Sequence, residues 1–333
     1  MRCLITGGAG FIGRHLVADL AARGGWDLCV LDDESVGDRR ALDGTGAAFV
    51  QGDVRDPEVL DAVVPGCAAV IHLAAMSGVA ASVADPRASL DVNLWGSFEL
   101  LEACRRHGVT RIVAASTGGA LAGDGRAGER AGPVSVDTPP RPRAPYGAGK
   151  AALEALLSAY AGSYGLRPCA LRFANVYGPD MAHKDSVVAC FLARLAAGKP
   201  LVVHGDGHQA RDFLYVGDLV AGVRQALTTG ATGVYPLGSG RATTIRALVA
   251  AIVEVTGRAP PEVIHAPLPA GEVRSVHCDI SAARASFGFD PATSLETGLA
   301  HTWAWFAARA GFDSPGAAGS SNRAAPKGRR PES

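Results

Sequence analysis

Two side chains that could move a proton stand one helical turn apart in the middle of the sequence. Tyr146 is followed four residues later by Lys150, one of only four lysines in the chain, in an Ala- and Leu-rich stretch. Residues at i and i+4 share one helix face, so both side chains should reach the same site. A free tyrosine has a pKa of about 10, and a neighbouring ammonium favours its ionised form. The pair therefore predicts a phenolic general base.

Two hydroxyl side chains end an apolar run earlier in the chain. Ser116 is the last residue of the apolar segment "RIVAAS", and Thr117 follows it directly. Such a segment is typical of a buried strand. Open α/β sheets bind ligands at the carboxyl ends of their strands. Either hydroxyl could therefore hydrogen-bond to the substrate oxygen that Tyr146 deprotonates.

A glycine-rich turn near the N-terminus predicts a dinucleotide site. Gly7, Gly10 and Gly13 follow the first predicted strand and enter a helix, where a diphosphate can approach backbone N–H groups. The second strand ends at Asp32, whose carboxylate could accept from the adenosine ribose hydroxyls. No arginine follows at once in "LDDESVG", so NAD is favoured over NADP. The positive nicotinamide ring would favour the phenolate further, and Lys150 could also donate to its ribose.

The elements that must position these residues alternate along the first half of the chain. Their nearly unbroken apolar strands predict an α/β fold with a Rossmann-type doubly wound parallel sheet. The predicted strands are 3–6, 27–32, 47–53, 68–74, 111–116 and 167–173. The predicted helices are 11–23, 57–64, 87–107, 146–164, 186–197, 216–228, 243–256 and 294–309.

Composition changes along the chain predict its organisation. Residues 1–175 should form the NAD-binding domain, to which the chain returns near 212–237. Residues 176–312 should form a smaller C-terminal α/β lobe that binds substrate. The Pro-, Gly- and Ser-rich basic segment 313–333 is typical of a disordered tail.

Charge and cysteine usage exclude several classes. The formal net charge is zero and the pI is about 7.1, which argues against nucleic-acid and membrane-surface binding. No apolar run is long enough to span a membrane and no signal peptide is evident. Seven scattered cysteines without a CxxC motif indicate buried thiols in a reducing cytoplasm, with no metal site.

Taken together, these motifs resemble the extended short-chain dehydrogenase/reductase family, and within it the nucleotide-sugar 4-epimerases. The similar segments are "TGGAGFIG", "HLAA", "NLWGS", "ASTGGALAG", "YGAGK", "RFANVYGP" and "GDGHQARDFLYVGD". The resemblance implies tightly held NAD, Tyr146 as base with Lys150 as its modulator, and Thr117 or Ser116 as the hydroxyl partner. It also implies a homodimer paired through helices 87–107 and 147–164.

Further cofactor contacts follow from the same comparison of motifs. Asp53 and Val54 could flank the adenine, and Asn93 would lie beside the cofactor. His72 alone is more typical of a core histidine than of a catalyst. The full predicted cofactor-binding set is Gly7, Gly10, Phe11, Ile12, Gly13, Asp32, Asp53, Val54, Leu73, Ala74, Ala75, Asn93, Tyr146 and Lys150.

The residues after Thr117 separate the branches of the family. The 4,6-dehydratases carry an Asp-Glu pair there, whereas this chain has Gly118 and Gly119, which cannot transfer a proton. Oxidation at C4 and return of the hydride remain possible. One departure is that the strand end usually carries Tyr-Gly, where this chain has Ala122 and Gly123.

Candidate substrate residues lie in the second half of the chain and after the fourth strand. Arg211 and Asn175 match the family's diphosphate and sugar contacts. Two further candidates, Arg274 and Ser82, are as easily explained as a surface arginine and a helix-entry serine. The predicted substrate-binding set is Ser82, Thr117, Asn175, Arg211 and Arg274. His183 and Lys184 are either solvated or face a sugar carboxylate, and Val276 lies where sugar size would be limited.

Three functions fit these residues. The first is NAD-dependent epimerisation at C4 of a UDP-sugar, namely UDP-glucose, UDP-glucuronate or an N-acetyl analogue, through a 4-keto intermediate. The second is reduction of an NDP-4-keto sugar, which would consume NAD(P)H. The third is a non-catalytic NAD-binding sensor, which the retained Tyr146 and Lys150 disfavour.

Overall fold

The computed structural model describes residues 1–122, 132–258, 262–267 and 275–311. Gly123, Arg274 and the predicted tail 313–333 therefore lie outside the described residues. The strands are β1 Arg2–Thr6, β2 Asp27–Asp32, β3 Ala48–Gln51, β4 Cys67–His72, β5 Arg111–Thr117, β6 Arg167–Phe173, β7 Asn175–Tyr177, β8 Leu201–His204, β9 Ala210–Arg211, β10 Phe213–Tyr215, β11 Gly233–Leu237, β12 Thr243–Thr244 and β13 Val263–Ala266.

Helices cover most of the remaining described residues. They are α1 Phe11–Arg23, α2 Pro57–Val63, α3 Val79–Ala84, α4 Pro86–Leu90, α5 Ser97–Arg106, α6 Gly119–Ala122, α7 Pro145–Tyr164, α8 Val187–Ala196, α9 Val216–Thr229, α10 Ile245–Thr256, α11 Ser281–Phe287 and α12 Leu295–Arg309. A 3-10 turn at Arg39–Leu42 and a π-helical segment at Asp91–Gly96 complete the set.

A seven-stranded parallel sheet forms the centre of the fold and confirms the predicted fold class. Its strand order is β11-β6-β5-β4-β1-β2-β3, and every neighbouring pair is parallel. The order reverses between β1 and β4, which is the switch point where such sheets bind ligands. The first six strands agree with the predicted runs to within a few residues, and the seventh, Gly233–Leu237, pairs with β6.

Burial on both faces explains why these strands lack a polar-apolar alternation. In β1, Cys3 and Ile5 belong to one core cluster and Leu4 to the other. The first cluster includes residues of α1 and α9, and the second includes residues of α5 and α7. Because each strand residue removes apolar surface from water on one face or the other, the sheet is stabilised from both sides.

The predicted helix 87–107 is helical from Pro86 to Arg106, with a change of hydrogen-bond pattern in its middle. Asp85 caps α4 by accepting from the Ala88 amide, and Pro86 occupies the first helical turn. The helix then widens to a π-helical turn at Asp91–Gly96 before α5 begins. Such turns insert an extra residue and often accompany functional sites. Here the turn carries Asn93, whose contacts are described below.

The second lobe is built from short strands and amphipathic helices. Strand pairs β7–β10, β8–β13 and β9–β12 support it, and α12 packs against α8 and α10. No helix among the described residues is long and apolar enough to cross a membrane. All seven cysteines are free and all but Cys190 are buried, and the described residues contain no His, Cys, Asp and Glu cluster with metal-ligand geometry.

Candidate active site

The turn between β1 and α1 has no room for a side chain at Gly7 or Gly13, whereas a Cβ on Gly10 would meet only the Gly7 carbonyl oxygen, at 3.4 Å. Gly7 has φ +72°, and a Cβ there would lie 2.6 Å from the Ala74 amide nitrogen. A Cβ on Gly13 would lie 2.3 Å from the Gly7 carbonyl oxygen. The backbone is therefore exposed as a cradle that begins a helix, the arrangement that binds a diphosphate. Phe11 packs its side chain into the core and Ile12 against it, so both can contribute only backbone to this cradle.

Asp32 lies at the end of β2, beside that turn. Its carboxylate accepts from the amides of Ala9 and Glu34, both at 2.9 Å. Burial raises the pKa of Asp32, and these two N–H donors oppose the shift. A carboxylate fixed here can accept from ribose hydroxyls and repels a 2′-phosphate. The glycine cradle and Asp32 together fit NAD.

The remaining predicted cofactor residues divide into loop and core positions. Val54 is buried, and its side chain lies 2.7 Å from where a Cβ on Gly96 would be. Asp53 is paired with Arg55. After β4, the Leu73 amide donates to the Thr6 carbonyl, which holds the loop against the glycine turn.

Asn93 holds the continuation of that loop in place. It is fully buried, accepts from the Met76 amide at 2.9 Å and donates to the Met76 carbonyl at 3.0 Å. Its second amide hydrogen bond goes to Ser89. The hydrogen bonds of this side chain are therefore made within the protein, and they hold the loop that contains Ala74 and Ala75.

His72 is a satisfied core histidine, as predicted. Its Nδ1 lies 2.8 Å from the Thr6 hydroxyl and its Nε2 lies 3.0 Å from the Ser97 hydroxyl. Ser97 donates its own proton to the Asn93 carbonyl, so it must accept from Nε2–H. Nδ1 of the neutral ring then accepts from Thr6. Burial, with the charge on Lys150 second, lowers the pKa of His72 to about 3.

Acid should therefore destabilise the protein through His72. Between its unfolded pKa of about 6.5 and its folded pKa, the unfolded state binds the proton and the native state does not, so stability falls as pH falls. From pH 6.5 to 5 we expect a loss of about 2 kcal/mol. Urea unfolding of the protein and of His72→Gln at both pH values measures it. Equal pH dependence in the two proteins would contradict the assignment.

Tyr146 and Lys150 lie in the first turns of α7, which begins at Pro145 as a favourable first helical residue. Lys150 is 2 % exposed, and its ammonium donates to the Ala115 carbonyl at 2.9 Å. Burial lowers the pKa of Lys150 to about 8 and raises the pKa of Tyr146 to about 12. The predicted lowering of the Tyr146 pKa, which relied on Lys150 together with the nicotinamide ring, does not arise from the protein's own groups alone. The charge of an oxidised nicotinamide would have to supply that effect.

The two candidate hydroxyls at the end of β5 differ in their surroundings. Ser116 is 2 % exposed and donates to Glu154 Oε1 at 2.6 Å, inside the core. Because strand residues alternate in direction, Thr117 lies on the other face and is half-buried. The Ser116 alternative therefore does not fit the structure, and Thr117 is the candidate partner for Tyr146.

The Asn175 side chain lies beside Asp212, the residue that follows Arg211 in the chain. β7 pairs in parallel with β10, and the Asn175 side chain donates to the Asp212 carbonyl at 3.2 Å. Arg211 donates to the Ala210 carbonyl. The Val276 amide also donates to Ala210, which places the segment directly after Arg274 beside the same strand.

Asp212 organises this region, and the sequence analysis did not identify it. Its carboxylate is 1 % exposed and accepts from the Ser239 amide and hydroxyl, the Gly240 amide and the Cys278 amide. A carboxylate that accepts several hydrogen bonds fixes the segments that donate them. The signal in the sequence was an acid between Arg211 and the apolar "FLYV", where an unpaired charge could not be buried.

The other substrate candidates differ in burial and in their contacts. Ser82 is fully buried, and its hydroxyl donates to the Val79 carbonyl within α3. His183 is exposed. Lys184 is half-buried, and its ammonium reaches the Ser77 hydroxyl at 3.4 Å in exposed surroundings. Val276 is buried beside Gly119, with Ala122 and Val134.

Comparison with known proteins places this geometry among nucleotide-sugar enzymes. The family model described as NAD dependent epimerase/dehydratase family matches residues 3–238. The chain is 37 % identical to a UDP-glucose 4-epimerase of Mycolicibacterium smegmatis over 92 % of this chain and 98 % of that protein. A dTDP-glucose 4,6-dehydratase of Streptomyces niveus is 32 % identical, with 92 % and 93 % covered.

A solved structure shares the fold over most of the chain. The UDP-glucose 4-epimerase of Thermus thermophilus, crystallised as a complex with NAD, is 40 % identical with a TM-score of 0.84. The match covers 92 % of this chain and 99 % of that one. The glycine cradle and Asp32 described above thus occur in a chain that is similar over its length to an NAD-containing epimerase.

Proposed function

Because the chain belongs to the NAD-dependent epimerase/dehydratase family, we propose that it interconverts UDP-sugars that differ in configuration at C4. The candidates are UDP-glucose, UDP-glucuronate and their N-acetyl analogues with the corresponding C4 epimers. The observation that carries this proposal is the set Thr117, Tyr146 and Lys150, with Gly118 and Gly119 directly after Thr117 in place of an acid pair.

The positions after Thr117 support epimerisation over dehydration. Loss of water across C5–C6 needs a proton donor and acceptor close to the sugar. A Cβ on Gly118 would meet Cys278 and the Phe173 carbonyl, and one on Gly119 would meet Val276. The surroundings are therefore apolar or backbone. The carboxylate on the catalytic helix, Glu154, is bound to Arg172 and Ser116 inside the core.

The proposed chemistry divides between the phenol and the hydroxyl. When bound, NAD supplies the acceptor for the C4 hydride and, once reduced, the donor that returns it. Tyr146 accepts the proton of the C4 hydroxyl and later gives it back, while Thr117 hydrogen-bonds to the same oxygen. Lys150, held by Ala115, keeps a positive charge on the helix face next to Tyr146.

The firm contacts to the substrate should lie at its nucleotide end. The sugar must present both faces at C4, so firm contacts to the sugar ring would oppose its reorientation in the site. Asn175 and Arg211, ordered through Asp212, are the proposed diphosphate contacts. The half-buried ammonium of Lys184 is a further positive group at the junction of the two lobes.

Incubating the purified protein with each candidate pair tests the proposal. Both members of a pair, supplied separately without added cofactor, should converge on one ratio by NMR. The absence of interconversion for every pair would contradict it. Loss of water from dTDP-glucose would indicate a dehydratase, and dependence on added NADH with a 4-keto sugar would indicate the reductase alternative.

Two further parts of the proposal concern organisation. Residues 1–175 with the returning strand β11 would bind NAD, and 176–312 would bind the nucleotide sugar.

A homodimer would pair the helices that contain Trp95 and Tyr164, whose side chains are 56 % and 54 % exposed. Exposed aromatic side chains of this size are typical of protein interfaces.

A further inference from the structure

A buried ion pair lies behind the candidate catalytic residues. Glu154 on α7 and Arg172 on β6 are 8 % and 3 % exposed. The guanidinium donates from Nε to Oε1 at 3.0 Å and from Nη2 to Oε2 at 2.8 Å, a bidentate arrangement that fixes both side chains. Neither residue has a role in the chemistry proposed above.

The pair also contacts the segment that leads into the catalytic helix. Arg172 Nη1 donates to the Ser135 carbonyl at 2.9 Å and to the Thr138 carbonyl at 3.1 Å. Thr138 lies eight residues before Tyr146 in the chain. The guanidinium therefore connects β6, α7 and the entry to α7 through four hydrogen bonds.

Spacing on α7 aligns Glu154 with the two functional side chains. Tyr146, Lys150 and Glu154 stand at intervals of four and share one helix face. Lys150 donates to the Ala115 carbonyl, and Glu154 accepts from the hydroxyl of the next residue, Ser116. Two consecutive turns of α7 are thus bound to two consecutive residues of β5, directly before Thr117.

Stability alone does not account for such a pair. Removing two charges from water costs free energy, and the attraction between the charges often does no more than offset that cost. Replacing a buried ion pair with apolar side chains of similar size therefore commonly leaves the stability of the protein unchanged or raises it. A bidentate pair does, however, fix relative position. We propose that Glu154 and Arg172 are positioning residues that set the separation between the Tyr146 phenol and the Thr117 hydroxyl. For its catalytic consequence the inference rests on the proposed epimerase function.

The double variant Glu154→Leu with Arg172→Met tests this inference. It replaces both side chains with apolar ones of similar size and removes both charges together, so neither charge is left unpaired. We expect retained NAD and a melting temperature within a few degrees of the wild type, with kcat lowered about 10²-fold and KM for the UDP-sugar nearly unchanged. Glu154→Gln, which keeps one acceptor for Arg172, should recover part of that loss.

The ion pair Arg224–Asp19 provides a matched control. It joins α9 to α1 at 2.9 Å and is partly buried, remote from Tyr146 in the fold. Arg224→Met with Asp19→Leu should leave kcat and KM at wild-type values. A Glu154/Arg172 double variant with wild-type kcat, or with kcat and KM changed only because the protein unfolds, would overturn the inference.

A structural readout separates this inference from the proposed function. In a crystal structure of the double variant, the distance between the Tyr146 and Thr117 hydroxyl oxygens should change by about 1 Å relative to the wild type. An unchanged distance would overturn the positioning role even if the enzyme acts on another substrate. Conversely, a wild-type protein inactive on every UDP-sugar contradicts the proposed function and leaves this distance as the deciding result.

Discussion

Tyr146→Phe should lower kcat for C4 epimerisation about 10³-fold. The variant keeps the aromatic ring that packs at the start of α7 and removes only the oxygen that accepts the C4 hydroxyl proton. Binding of the UDP-sugar should change little, because neither Asn175 nor Arg211 depends on the phenol, and NAD should be retained because the glycine cradle is intact. Initial rates by NMR and the NAD released on denaturation measure both quantities.

Tyr164→Phe is the matched control for this variant. Tyr164 ends the same helix and its side chain is 54 % exposed, so loss of its hydroxyl should leave kcat unchanged. A Tyr146→Phe protein with wild-type kcat would contradict a phenolic base at this position.

Gly13→Ala should abolish retention of NAD. The new Cβ would lie 2.3 Å from the Gly7 carbonyl oxygen and 2.6 Å from the Gly8 Cα, so backbone must move in the turn that would hold the diphosphate. Overpacking of this kind commonly costs about 1–3 kcal/mol. We expect protein that folds with a lowered melting temperature and purifies without NAD, measured by absorbance after denaturation.

Gly162→Ala is the control for the substitution itself. Gly162 lies on the exposed side of α7, and a Cβ there meets nothing within 4 Å. Alanine favours a helix over glycine by about 1 kcal/mol, so this variant should be at least as stable as the wild type. Full NAD content in Gly13→Ala would show that the turn does not hold the cofactor.

The sheet could be predicted from sequence because its strands are buried on both faces. Runs such as "DLCVLD" and "RIVAAS" are long, apolar and regularly separated by helices, so they predict a parallel, doubly wound sheet. The bounds of the helix 87–107 were predicted to within a residue, but its π-helical turn was not. Asn93 in that turn hydrogen-bonds to Met76 in another segment, and helical periodicity does not report such a contact.

The candidate site was predictable where its residues follow a motif and not where they pair over distance. Tyr146 and Lys150 lie one turn apart, and Gly7 and Gly13 lie in one motif. Choosing Thr117 over Ser116 required the Glu154 contact, which joins residues 38 positions apart. Arg172 was the available signal, because an arginine inside an apolar strand must find a buried partner.

The electrostatic prediction depends on burial as well as on spacing. The sequence places an ammonium one turn from a phenol, but it does not show that Lys150 is buried and Tyr146 half-buried. Burial disfavours the charged form of each group, raising the pKa of Tyr146 and lowering that of Lys150. The proposed mechanism therefore requires the cofactor's charge as well as the lysine.

Isotope retention tests the central proposal most directly. The UDP-sugar that the protein interconverts is supplied with deuterium at C4, in ordinary water and without added cofactor. If the hydride leaves C4 and returns to the same carbon inside the site, the epimerised product keeps the deuterium at C4. Product that carries hydrogen at C4, with the deuterium released to water, would contradict the account.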